Sequence, residues 1–157
     1  SGAIIFAKAK KVALEFEDGW KERVYDRRYA ALVHGELPKS QGTIASWLKD
    51  DSHYVTHSSQ EDNGGKYAIT HYKKLKSVNG YSLVELQLET GRKNQIRVHL
   101  QDLGCPVVGD LKYGDGSDPI HRLGLHAYKL CFKHPVTGED MKFESDIPKV
   151  FYAPLEN

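Results

Sequence analysis

Glu89-Thr90-Gly91-Arg92-Lys93-Asn94-Gln95-Ile96-Arg97-Val98-His99-Leu100-Gln101-Asp102-Leu103 is the stretch where the chain changes its period. Ahead of it, Tyr81 to Leu88 alternates, with Val84, Leu86 and Leu88 on one face, the pattern of a half-buried strand. Gly91 breaks that strand. From Arg92 onward Ile96, Leu100 and Leu103 recur at helical spacing, so a helix packed on a core is predicted from Arg92, with Gly104 ending it. Lys93, Arg97 and Gln101 form a second stripe on that helix. Arg92 and Lys93 then fall in its first turn, where the helix dipole makes bases mildly unfavourable. Either this is an accident of the surface, or a phosphate or carboxylate is bound there with help from free backbone N–H groups.

Working outward, Asn79-Gly80 is a strong turn signal, and it joins the Tyr81–Leu88 strand to a predicted strand from Tyr67 to Leu75 as an antiparallel hairpin. Further strands are predicted at Ile4 to Ala7, Arg27 to Gly35, Ile44 to Leu48, Leu125 to Phe132 and Met141 to Phe143. In the second of these, Tyr29, Ala31 and Val33 share one face. Lys10 to Arg23 reads as a helix carrying Val12, Phe16 and Trp20, weakened at Gly19 by about 1 kcal/mol relative to alanine. Pro38 to Gly42 reads as a turn or loop. Ser52 to Lys66 is polar, contains Gly64-Gly65, and reads as a hairpin or mobile loop. Pro106 to Gly116 is irregular and glycine-rich, without the order of a phosphate loop. Pro148 and Pro154 mark a loosely structured end. Residues 1–157 read as one α+β domain with a mixed, mostly antiparallel sheet and packed helices.

Composition sets bounds on function. The chain is 39% hydrophobic and 27% charged, the profile of a soluble globular domain, and its net charge of +1 argues neither for nor against RNA. Between Lys66 and Lys112, however, Lys and Arg outnumber Asp and Glu, so a basic face can exist on a nearly neutral chain. No apolar run approaches the ~20 residues needed to cross a bilayer. The N-terminus lacks the charged, apolar and cleavage regions of a signal peptide. Cys105 and Cys131 allow one disulfide but no framework, and a reducing cytoplasm is the simpler setting.

Several side chains have two readings each. Tyr29 is either sheet core or a ring stacked on a flat ligand. Arg27 and Arg28 beside it are either a solvated charge run or part of a nucleic-acid face. Arg97 either snorkels over apolar neighbours or holds a buried carboxylate in bidentate geometry. His99 reads first as a satisfied core histidine. His121, His126, Cys131 and His134 are metal-like in composition but not in spacing, so no metal site is assigned.

Four ordered segments resemble one family. Arg28-Tyr29-Ala30-Ala31-Leu32-Val33-His34-Gly35, Gly91 to His99, Gly104 to Gly114, and Arg122 to Ala127 followed by Phe132 to Glu139 are similar to motifs of the RluA family of RNA pseudouridine synthases. The resemblance implies the pseudouridine synthase catalytic-domain fold and isomerisation of uridine to pseudouridine in ribosomal or transfer RNA, without metal or organic cofactor. Structured RNA is the implied partner, large-subunit ribosomal RNA foremost. It makes Tyr29 the active-site tyrosine, which stacks on the target base and helps move the C5 proton. It makes Arg97 the basic residue that pairs with the catalytic aspartate, so Tyr29 and Arg97 are expected in one cleft. Arg92, Lys93, Gln95 and His99 share the motif and are assigned to RNA contact, with motif packing as the other reading. The family's catalytic aspartate lies in a His-Arg-Leu-Asp motif. His121-Arg122-Leu123-Gly124 is a near-copy with glycine in its place, where the family has another motif. The aspartate is expected just upstream of Ser1, which makes this chain an incomplete catalytic domain whose partner is the upstream part of the same enzyme. Alone it is expected to be inactive. The alternative is a catalytically inactive, RNA-binding relative.

Overall fold

In chain order the elements are α1 (Lys10–Arg23), β1 (Val24–His34), β2 (Gln41–Asp50), β3 (Thr56–Ser59), β4 (Lys66–Val78), β5 (Tyr81–Leu88), α2 (Gln95–Asp102), β6 (Leu125–Lys133), β7 (Asp140–Glu144) and a 3-10 helix (Lys149–Leu155). This computed structural model describes residues 1–156, apart from the side chains of residues 15–18 and 21. Phe16, placed on the inner stripe of the first helix by its spacing, therefore lies outside the described side chains. The helix itself has the expected bounds and a non-helical residue at Gly19.

The strands form one sheet in the order β3-β2-β4-β5-β1-β6-β7, and each of its ladders is antiparallel. Asn79 and Gly80 have φ of 58° and 78°, the left-handed pair that closes a two-residue hairpin with the twist of its strands. β1 lies inside the sheet. Tyr29 opposes Leu86 of β5 and Ala127 of β6, and the register slips on the β6 side between Arg28 and Tyr29.

The sheet buries both faces. On one, Ala31, Val33, Val84 and Leu86 pack with Ile96 and Leu100 of α2, and Tyr29 and Leu88 lie at its margin. On the other, Leu32 and Leu83 pack with Val108, Ile120, Phe151 and Leu155. Alternation along β1 assigns these residues to opposite faces, as a pleated strand requires. Cys105 and Cys131 are both free and buried. No helix among the described residues is long and apolar enough to cross a membrane.

Three local expectations are corrected. Ile4 to Ala7 is not a strand: Gly2 bridges Ala127, while Ile4 and Phe6 are 74% and 80% exposed. β1 and β7 flank β6 along Lys129–Lys133, leaving the incoming segment only the first residues of that strand. The chain end is not loose. Pro148 precedes the 3-10 helix, Pro154 lies within it, and Phe151 and Leu155 are buried against the sheet. Proline's fixed φ suits such a turn.

The third correction bears on the site. α2 begins at Gln95, not at Arg92, because Asn94 adopts φ 58° and ψ 14°. The Gln95 side chain organises the turn ahead of it, its Oε1 accepting from the Arg92 N–H at 3.0 Å and from Thr90 Oγ1 at 2.8 Å. Arg92 and Lys93 thus belong to a turn, and the helix-dipole argument for an anion beside them lapses.

Candidate active site

Along β1 the core face runs Val33, Ala31, Tyr29 and then Arg27. Val33 and Ala31 are fully buried, and Tyr29 is half-buried where the packing of α2 ends. Beyond that point a cavity of about 330 Å³ opens. Tyr29, Arg27 and Lys129 line it from the sheet, Trp20 from α1, and Ile4 and Ile5 from the first residues. Lys129 lies 3.4 Å from Asp26, which also accepts from Arg28 Nε at 3.1 Å. An aromatic wall, apolar side chains and cations in one concavity suit a flat ligand carrying negative charge.

Arg97 is engaged elsewhere. Its Nε and Nη2 donate to the two carboxylate oxygens of Asp110 at 2.7 and 2.8 Å, and Nη1 donates to Asn94 Oδ1 at 3.0 Å. The guanidinium also stacks over Tyr113, 4.9 Å from the ring centroid. The Asp110 side chain is wholly buried. Burial alone would raise its pKa, but the hydrogen bonds from Arg97 and from the Tyr113 and Lys112 amides outweigh this and hold it below the usual carboxylate range. Arg97 does not line the Tyr29 cavity. Among the described residues the partner of its fork is Asp110, and an aspartate upstream of Ser1 would lie outside this chain. The bidentate reading of Arg97 from the residues alone is the one the structure has.

The four motif residues assigned to RNA separate into two pairs. Gln95 and His99 face inward and are 2% and 0% exposed, so contact with RNA is corrected to packing. Gln95 Nε2 donates to the Ile69 carbonyl at 3.0 Å and to Thr70 Oγ1 at 2.8 Å. The His99 ring lies 3.0 Å from Ser46 Oγ and 2.7 Å from Thr70 Oγ1, and burial pushes its pKa down to about 4. Together they bolt α2 to β2 and β4. Arg92 and Lys93 face outward. Arg92 Nε donates to the Tyr67 carbonyl at 3.0 Å, and Lys93 Nζ lies 3.6 Å from Asp50 with its side chain 62% exposed. They line a second cavity of about 420 Å³ with Lys49, Lys66 and Gly64-Gly65.

Sequence reasoning gave no role to Lys129, Lys49, Lys66 or Asp110. Lysine within the apolar pattern of Leu125 to Phe132 is a usable signal for the first. Nothing in the linear pattern marks Asp110 as the partner of Arg97. Among the described residues no group of three or more His, Cys, Asp or Glu side chains is placed to hold a metal ion.

Comparison with known proteins bears on this geometry. The family model described as RNA pseudouridylate synthase matches residues 1–102. A Bacillus subtilis protein described as the uncharacterized RNA pseudouridine synthase YhcT is 41% identical over 150 residues, covering 94% of this chain and 49% of its own length. Ribosomal large subunit pseudouridine synthase C of Rickettsia bellii is 35% identical over 155 residues, covering 96% of this chain and 52% of its own. Among solved structures, human RNA pseudouridylate synthase domain containing 1 superposes with a TM-score of 0.76 at 32% identity, covering 89% of this chain and 62% of that one. The chain spans about half the length of the curated relatives it matches.

Proposed function

The chain belongs to the RNA pseudouridylate synthase family, and from that premise we propose that it is the Tyr29-bearing part of an enzyme that converts uridine to pseudouridine in RNA, with large-subunit ribosomal RNA as substrate. The observation that carries this reading is the cavity of about 330 Å³ walled by Tyr29 and lined by Arg27 and Lys129. It offers a base-stacking surface flanked by cations for the backbone. A target base leaves its stack at a cost of a few kcal/mol. An aromatic platform returns about 1–3 kcal/mol of that.

In the reaction the C1′–N1 bond of uridine breaks and the freed uracil rotates. A C1′–C5 bond forms, C5 loses its proton, and N1, which carries none in uridine, gains one, so the reaction is a net isomerisation. In this reading Tyr29 holds the base during rotation and assists departure of the C5 proton. Residues 3–5 and Trp20 restrict water around the detached base. The carboxylate that starts cleavage, by attack on the sugar or by a glycal route, comes from a segment upstream of Ser1. In support, Ala127 N–H donates to the Ser1 carbonyl at 2.7 Å and Ala3 N–H to the Ala127 carbonyl at 2.8 Å, so the chain enters at the cavity's rim. Arg97 acts as a positioning residue. Through Asp110 it ties α2 to the 107–116 loop and so fixes the face against which Tyr29 packs.

Tritium release from RNA labelled at uridine C5 tests this in three proteins: the 157-residue chain, the complete parent, and the parent carrying Tyr29→Phe. Release is expected only from the complete parent, with the Tyr29→Phe rate lower by about 10²–10⁴-fold. Robust release by the 157-residue chain would overturn the upstream carboxylate. No release from a parent that binds RNA would leave the inactive relative instead.

A further inference from the structure

Arg27 is a half-buried cation with no acidic partner among the described residues. Two cations beside it are paired: Arg28 with Asp26 and Glu85, and Lys129 with Asp26. Among the described residues no carboxylate lies within ion-pair distance of Arg27. Burying a charge without a partner is costly, and sites that do so are built to receive one. Burial also lowers the pKa of this guanidinium from its ordinary value.

Its position is equally specific. Arg27 and Trp20 line both the Tyr29 cavity and a larger one of about 600 Å³, which Gly91, Arg92, His71 and Glu89 help to close. Glu89 is the acidic residue in that second lining, and its carboxylate lies 3.3 Å from His71 Nε2. The guanidinium therefore stands on the ridge between the two cavities. Gly91 makes room for it, because a Cβ at Gly91 would stand 2.4 Å from Arg27 Nη1. Gly91 is not among the glycines with positive φ, so the backbone there does not itself require glycine.

We propose that Arg27 grips a backbone phosphate next to the uridine that lies against Tyr29, and so sets which nucleotide of the strand enters the cavity. The proposal rests on the Tyr29 cavity being the uridine site. A base in one cavity and the backbone leading into the next put a phosphodiester at the ridge. The planar fork of an arginine matches two phosphate oxygens, and such contacts fix register rather than read sequence.

The test is a fluorescence titration of a short single-stranded oligouridylate RNA against the complete parent protein as wild type, Arg27→Gln, Arg27→Lys and Gly91→Ala, each over a range of salt. Arg27→Gln is expected to weaken binding about ten-fold at moderate salt. It should also reduce the slope of log affinity against log salt by about 0.7, the loss of one phosphate contact on a single strand. A purely structural role for Arg27 would not move that slope. Arg27→Lys should keep the slope and lose only part of the affinity. Gly91→Ala, which displaces Nη1 but leaves its charge, should weaken binding without deleting any contact group. This variant and Arg27→Lys decide the matter if Arg27→Gln does not fold. Measurable RNA binding with unchanged affinity and slope in Arg27→Gln, or unchanged affinity in both Arg27→Lys and Gly91→Ala, overturns the phosphate grip and leaves the uridine site standing. Absence of RNA binding by the wild-type parent overturns both.

Discussion

Burial holds the His99 imidazole at a pKa of about 4, against an ordinary value near 6.5. Between those values the unfolded chain takes up a proton that the folded chain refuses, so stability rises with pH across the window. Above about pH 6.5 both states are neutral here, and below about pH 4 both are protonated and the slope vanishes. The full difference is worth roughly 3 kcal/mol. Urea denaturation of the wild type should show that loss on acidification, and His99→Gln should lose markedly less over the same range. Identical losses would mean that the ring admits the proton after all. His99 was readable in the sequence as a core histidine. Its assignment to RNA came from neighbourhood in a motif, which is a linear property. On a helix, residues four apart share a face, and Gln95 and His99 share the buried one. Arg97 was readable as a bidentate arginine, but its partner was not. Asp110 is brought to it by the loop that follows α2, and no periodicity specifies that return.

The β4–β5 hairpin is the element whose sequence determines it most directly. Gly80 sits at φ 78°, and a Cβ there would meet nothing within 4 Å. A side chain at this position is therefore penalised only through the backbone, by about 1–2 kcal/mol. Gly80→Val should lower stability by that amount, read as a shifted urea midpoint at constant slope. A loss of only a few tenths would show that the turn has another form to adopt. Strand alternation and turn chemistry are local, which is why β5 and α1 have the bounds their patterns predict. The Ile4 to Ala7 stretch failed for the opposite reason. An apolar run becomes a strand only where an edge is free, and β1 and β7 flank β6 for most of its length. The proline-bearing end failed because proline was read as a breaker. Here it frames a short 3-10 turn that seats Phe151 and Leu155. At the start of α2, the side-chain bonds of Gln95 override the helical period that began at Arg92.

At the scale of the molecule, a net charge of +1 conceals a basic concavity formed by Lys49, Lys66, Arg92 and Lys93, with Asp50 as the acidic residue in its lining. If RNA crosses it, neutralising Arg92 and Lys93 together, as Arg92→Gln and Lys93→Gln, should reduce the salt slope of binding by about 1.4, two single-strand phosphates. An unchanged slope in filter binding would remove this face from the RNA path. The strand order has a consequence in time. β2 and β3, and β4 and β5, are neighbours in the chain and can close as hairpins in microseconds. β1 is sequestered between β5 and β6, and β6 does not begin until Leu125. At synthesis rates of roughly 5–20 residues per second, about 5–20 s separate the appearance of His34 from that of Lys133. Throughout that interval one side of β1 is an unpaired edge, a template for the wrong chain. Arg27 and Arg28 on that strand are charges of the kind that keep an open edge from recruiting a stranger before β6 arrives.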